Sequence, residues 1–190
     1  MTILILRVFV CLMLLSVARQ TWSLELQAIL DYTMITPPAR IGFREERHNK
    51  MLKEALVRTG YLEYLDEGRL SKVVETPFQE AFLIEVDRII IERDGEIRTL
   101  PLSKSRSLKA MLGGIEAILA GHADRLLQVF SYELNCTDET WSMVLKPVSH
   151  RIARQFNALV VTGNDRAVTS IRFNLKDGEW HLMELLESDP

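Results

Sequence analysis

Through most of this chain the apolar side chains recur at every second position, in short runs separated by turn residues, and a single long helical stripe divides the runs into two blocks. Period two gives each strand one dry and one wet face, so the pattern demands a large antiparallel sheet with something laid over its dry side. The first block runs near 41–48, 51–59, 60–65, 70–75, 80–86, 88–93 and 96–100. The second runs near 156–163, 167–175 and 179–186. Phe82, Ile84 and Val86 share one face while Glu85 and Asp87 take the other, and Ile171, Phe173 and Leu175 oppose Ser170, Arg172 and Asn174 in the same way. Asp94-Gly95 supplies the positive backbone dihedrals of a two-residue type I′ turn, which would set Arg93 opposite Glu96. Asn164-Asp165 and Asp177-Gly178 mark the later turns.

The helices are fewer. Leu26, Ile29 and Leu30 give helical spacing from Leu24 to Met34, stopped by Pro37-Pro38. Between the strand blocks, Leu108, Met111, Leu112, Ile115, Ile118 and Leu119 form a stripe on a helix from Ser107 to Ala120, with Ser107 as its cap. Gly113-Gly114 interrupts this helix at a cost of roughly 1 kcal/mol per glycine relative to alanine. Either a backbone packs closely there or the helix bends. A short helix from Ala123 to Phe130 and another after Pro147 complete the set, giving some ten strands with three or four helices. Such a sheet hides its dry face by curling, by a second sheet or by helices, and periodicity leaves both a filled core and a cavity open.

At 190 residues, 47% apolar and 26% charged, the chain can bury a core of its own, and no internal linker divides it, so residues 24–190 read as one domain. The net charge of -3 gives no basic surface for nucleic acid. The apolar run from Val8 to Val17 behind Arg7, with no acid in residues 1–23, has the form of a secretory signal, with cleavage after Ala18 or Ser23. The expected product is a soluble exported protein. Cys11 would leave with the signal, so Cys136 would have no internal partner.

No constellation for catalysis stands out. His48, His122, His150 and His181 lack a second ligand at metal-binding spacing and read as surface or packing residues, so neither a metal nor another cofactor is expected. There is no nucleophile elbow and no phosphate-cradling glycine loop. Glu45 and Arg47 share a strand face with Phe43. If Phe43 points into the dry side, the two charges need partners there: each other, a helix latched across the mouth, or a polar head group. If that face is wet, they are surface charges.

Phe43-x-Glu45-x-Arg47, Gly60-x-Leu62-x-Tyr64, the apolar helix ending at Gly121, and Trp141-x-x-x-Leu145-x-Pro147 follow one another in this order. As a set they resemble the LolA-like branch of periplasmic lipoprotein carriers, over nearly the whole mature chain. The family's Gly-Asp after the long helix is replaced by Gly121-His122, and its late Gly-Asp turn by Asp177-Gly178. The resemblance implies an incomplete antiparallel β-barrel with a helical lid over an apolar cavity, no enzymatic activity, and a monomer that binds acyl chains of a lipoprotein, glycolipid or related amphiphile in the periplasm. It further implies an inner-membrane exporter of the resistance-nodulation-division type and an outer-membrane acceptor as partners. On this reading Phe43, Leu62 and Tyr64 line the cavity from the first strands, and Phe82, Ile84 and Val86 from the middle ones. Leu145, Ile171 and Phe173 line it from the last strands, and Met111, Leu112 and Ile115 from the lid. Glu45 and Arg47 form a latch or head-group contact, and Gly113-Gly114 is the lid hinge. The rival reading is a periplasmic interaction or assembly module with a filled core and no lipid.

Overall fold

The computed structural model describes residues 25–186 apart from 52, 67 and 166. The expected signal segment lies outside them. A helix over 25–33, α1, comes first. Eleven strands then form one antiparallel sheet: β1 (Ala39–His48), β2 (Leu56–Asp66), β3 (Arg69–Thr76), β4 (Glu80–Ile84), β5 (Arg88–Arg93), β6 (Glu96–Pro101), β7 (Phe130–Cys136), β8 (Thr140–Pro147), β9 (Phe156–Asn164), β10 (Val168–Leu175) and β11 (Trp180–Leu185). Their spatial order is β6-β5-β4-β3-β2-β1-β11-β10-β9-β8-β7. Each half is a meander, and β1 zips onto β11 to join them, with Phe43 opposite Leu185 and Glu45 opposite Met183. Helices α2 (Arg106–Leu119) and α3 (Ala123–Val129) follow β6 and precede β7, so this connection crosses the inner face from one edge of the sheet to the other. The fourth helix, α4 (His150–Ala153), lies between β8 and β9.

The strands of the first block form near where their periodicity predicts, except that the run near 51–59 is strand only from Leu56 and merges with the next. Gly60 reads as a break between two runs, but it sits inside the continuous β2, opposite Phe43 and Val74. A Cβ there would fall 1.9 Å from the Val73 carbonyl oxygen, so the glycine permits close approach of β3 rather than ending a strand. The β5–β6 turn is as expected: Asp94 and Gly95 have φ of 52° and 77°, and Arg93 pairs in register with Glu96. The nearest carboxylate to Arg93, however, is that of Asp94, at 3.5 Å.

Two strands, β7 and β8, lie where the sequence suggested none. β7 is a mostly exposed edge that starts directly at the end of α3, so its alternation of Phe130, Tyr132 and Leu134 is short and mixed with polar residues. β8 carries Trp141, Met143 and Leu145 inward. Trp141 lies across Gly163, where a Cβ would come within 2.3 Å of its ring, and its Nε1 donates to the Asn164 carbonyl at 2.8 Å. Pro147 closes the strand.

The cap of α2 also differs from expectation. Ser105 is the N-cap, its hydroxyl accepting from the Leu108 amide at 3.4 Å. Ser107 is buried, and its hydroxyl donates to the Gln155 side chain, tying the helix start to the segment before β9. α2 runs unbroken through Gly113-Gly114. Gly114 faces Phe130, whose ring a Cβ would meet at 2.7 Å, whereas nothing lies within 4 Å of a Cβ on Gly113. Close packing accounts for Gly114, but against the Phe130 side chain rather than a backbone. At the far end Gly121 adopts φ of 72°, and the Gln27 side chain of α1 donates to its carbonyl at 2.9 Å.

The main core lies under the helices on β7–β11. Leu26 and Leu30 from α1, Ile118 from α2 and Leu126 from α3 pack on Phe130, Met143, Leu145, Phe156, Leu159 and Val161, all essentially inaccessible to water. A much smaller cluster, Phe43, Leu62, Val74 and Met183, sits on the β1–β3 side.

Candidate functional site

On the β1–β6 half, the inward residues and one face of α2 enclose an apolar cavity of about 320 Å³. The strand register lays its floor out in rows. Leu70, Ile84, Ile89 and Leu100 form one row across β3–β6, and Leu62, Lys72, Phe82 and Ile91 form the next across β2–β5. Beyond these the inner face becomes charged: the row of Phe43, Gly60 and Val74 ends in Glu80 and Arg93, and Glu45 pairs in register with Arg58. Above the floor, Leu108, Met111, Leu112 and Ile115 of α2 form the roof, and Ile171, Phe173 and Met183 close the side toward the filled core. The cavity therefore has an apolar body and a charged end.

Most of the expected cavity residues are brought together here: Leu62, Phe82, Ile84, Met111, Leu112, Ile115, Ile171 and Phe173, with Glu45 and Arg47 at the charged end. Four lie elsewhere. Phe43 is completely buried with Leu62, Val74 and Met183, and the Lys72 ammonium crosses its ring at 4.7 Å, separating it from the cavity. Tyr64 is buried near the end of β2, outside the lining. Leu145 belongs to the filled core on β8. Val86 is 71% exposed, because β4 ends at Ile84 and the chain turns toward β5, closed by the Glu85 amide donating to the Arg88 carbonyl at 2.9 Å. Its place is an outer groove with Gly68, Gly113 and Arg125.

Phe43 points inward, and so do the charges of its motif. Glu45 is 3% exposed and accepts from two cations: Lys72 Nζ at 2.7 Å on one oxygen and Arg47 Nε at 3.1 Å on the other. Burial pushes the Glu45 carboxyl up, but Lys72 and Arg47 together outweigh it and hold the group below the usual carboxylate range. Burial dominates at Lys72 and lowers its pKa in spite of Glu45. Next to them Arg58 donates to Glu80 at 2.7 Å, and its Nη1 is buried with no acceptor among the described residues. His181, beside Phe173 and Arg47 in register, is held down to about 4 by burial and then by the Arg47 charge, so it is neutral at pH 7.

Sequence reasoning missed Lys72, Arg58 and His181. Lys72 shared its parity with Leu70 and Val74, both inward-facing, but Val73 next to it made either face equally apolar. No group of three or more His, Cys, Asp or Glu side chains with metal-binding geometry occurs among the described residues.

A single open antiparallel sheet, curved beneath helices that roof an apolar cavity, is an incomplete β-barrel with a helical lid. The chain belongs to the family described as outer membrane lipoprotein carrier protein, LolA-like, whose family model matches residues 18–186. Similar solved structures include a LolA superfamily protein, NE2245, from Nitrosomonas europaea, with 10% identity, 86% of this chain and 94% of that chain covered and a TM-score of 0.42. A DUF1329 family protein from Desulfovibrio piger has 9% identity, 88% and 91% coverage and a TM-score of 0.50. LprF from Mycobacterium bovis has 13% identity, 86% and 92% coverage and a TM-score of 0.38. At these identities the likeness is one of fold alone. No curated protein matches the chain in sequence. No helix among the described residues is long and apolar enough to cross a membrane.

Proposed function

We propose that the protein is a periplasmic carrier, which binds the acyl part of a lipoprotein, glycolipid or related amphiphile without chemical change and delivers it toward the outer membrane. The observation that carries this reading is the cavity itself, since a sheet face and a helix face of one sign of polarity enclose space that neither fills. The cavity has room for an acyl chain of at least about ten carbons. At about 0.8 kcal/mol per buried methylene, such a chain gains on the order of 8 kcal/mol before the costs of association. A ligand held so firmly leaves when the roof moves. Within this reading the glycine pair of α2 is where the helix bends at least cost, Gly113 more than Gly114, whose neighbour Phe130 resists displacement. An inner-membrane exporter as donor, an outer-membrane acceptor and a monomeric carrier belong to the same proposal.

Native mass spectrometry of protein purified from the periplasm without detergent, followed by organic extraction, is the direct test. The expected result is an acylated adduct that is lost in the variants Met111→Asp and Ile115→Asp. Protein of apo mass that also ignores added fluorescent fatty acids would refute the carrier and favour an interaction module.

A further inference from the structure

The charged end of the cavity is unbalanced. Three cations, Arg47, Lys72 and Arg58, meet two carboxylates, Glu45 and Glu80, the neighbouring Arg93 is paired with Asp94 of its own turn, and the imidazole of His181 is neutral. Among the described residues lining the cavity Glu45 is the one carboxylate, while α2 above and β5 and β6 beyond contribute aliphatic and thioether groups such as Met111, Ile91 and Leu100. Glu45 is shared between Lys72 and Arg47, and Arg47 gives it only Nε, so its two Nη groups bond to no described residue. Arg58 adds a buried Nη1 without an acceptor. Buried or half-buried cationic donors in excess of their acceptors carry a desolvation cost that an anion at this point would offset. A neutral head group would leave it standing.

We propose that the cavity selects an amphiphile with an anionic head, a carboxylate or phosphate, its chain lying under α2 and its head held by Lys72 and Arg47. This rests on the carrier reading and narrows it: the excess cation sets the sign of the head. Lys72 serves as a point charge at the cavity wall, and Arg47, 33% exposed in its side chain, presents its free amino groups at the opening.

The experiment is displacement of a neutral fluorescent probe, N-phenyl-1-naphthylamine, from the full-length mature protein by ligands of equal chain length. Laurate and dodecyl phosphate are expected to displace it at concentrations about tenfold lower than dodecyl maltoside, the difference that one charge-assisted contact makes. Dodecyltrimethylammonium is expected to be weakest. In Lys72→Met the preference for the anions should fall about tenfold. Because removing Lys72 perturbs buried Glu45, Arg47→Gln at a half-exposed position provides a second variant with the same expected direction, and Arg47→Lys should restore part of the preference. Equal binding of maltoside and laurate to the wild type, or a preference intact in both Lys72→Met and Arg47→Gln, would overturn the anionic head while leaving the carrier in place. Inorganic phosphate competing as well as dodecyl phosphate would show a free-anion site and overturn the amphiphile. Failure of the probe and of every amphiphile to bind would sink both.

Discussion

On β8 and β9 the inward side chains Met143, Leu145, Leu159 and Val161 are sealed from water, whereas Phe82, Ile84 and Ile91 on β4 and β5 stay half-buried around a cavity. The two halves belong to one sheet and alternate apolar and polar residues alike. What differs is the cover. The β7–β11 half receives α1, α3 and the inner face of α2, which deliver Leu26, Leu30, Leu126 and Ile118 into the spaces between Phe130 and Phe156, two rings packed edge to face at 6.3 Å. The β1–β6 half receives the other face of α2 alone, and its inner surface gives six positions to charge: Glu45, Arg47, Arg58, Lys72, Glu80 and Arg93. Charges that must stay hydrogen-bonded cannot be packed over like leucines, and the helix above them stands off. A pleated sheet therefore licenses burial without deciding its depth.

The contrast is most exposed to refutation by truncating one aromatic on each side. Phe156→Ala in the filled half should cost about 3–5 kcal/mol, while Phe82→Ala, which already borders open space, should cost about 1 kcal/mol, read from urea unfolding midpoints. Comparable losses would mean the cavity is part of an ordinary core. Next in size is Glu45→Gln, expected to destabilise by about 3 kcal/mol because it leaves the Lys72 ammonium buried against an amide. A loss below about 0.5 kcal/mol would indicate that Lys72 reaches water on its own.

The two glycines of α2 sharpen the comparison within a single helix turn. Gly114→Ala drives a methyl into Phe130 of the filled half and should cost about 1–3 kcal/mol. Gly113→Ala meets nothing and should stabilise by roughly 0.5–1 kcal/mol through better helix propensity. Thermal unfolding of the pair gives opposite signs if the helix straddles the two environments as described. A further test is pH dependence at His181. Its pKa is about 4 when folded against 6.5 as a free group, so the unfolded chain takes up the proton first. Stability should fall as pH drops from about 6.5 toward 4, and His181→Gln should remove that part of the slope. An unchanged slope in the variant would place the imidazole in water rather than against the cavity.

Much of the fold was legible in advance because its signals are local. The Asp94-Gly95 turn, the alternation of β4 and β10 and the stripe of α2 follow from dihedral preferences and from periods of two and 3.6, which depend on near neighbours. Where such signals failed, a distant group had intervened. Gly60 looked like a strand end and is instead a place where the Val73 carbonyl comes close. Ser107 looked like a cap and is bound to Gln155. The alternation carried on to Val86 in sequence, but the chain had already turned at Glu85. β7 was too short and too polar to announce itself next to α3.

For the site the division is similar. Local pattern placed Phe43, Glu45 and Arg47 on one strand face and posed the question of how the two charges would be satisfied. The answer came from β3, where Lys72, 27 residues on, reaches over Phe43 to the Glu45 carboxylate, and from β11, which brings His181 alongside Arg47. By itself the sequence determined that a large antiparallel sheet with one dry face would form and that one long amphipathic helix would divide its strands into two blocks. Only the tertiary structure decided that this helix would roof one half at a distance and sink into the other, because that depends on the volumes and charges the remaining strands and helices bring to the same space, and no local period encodes their sum.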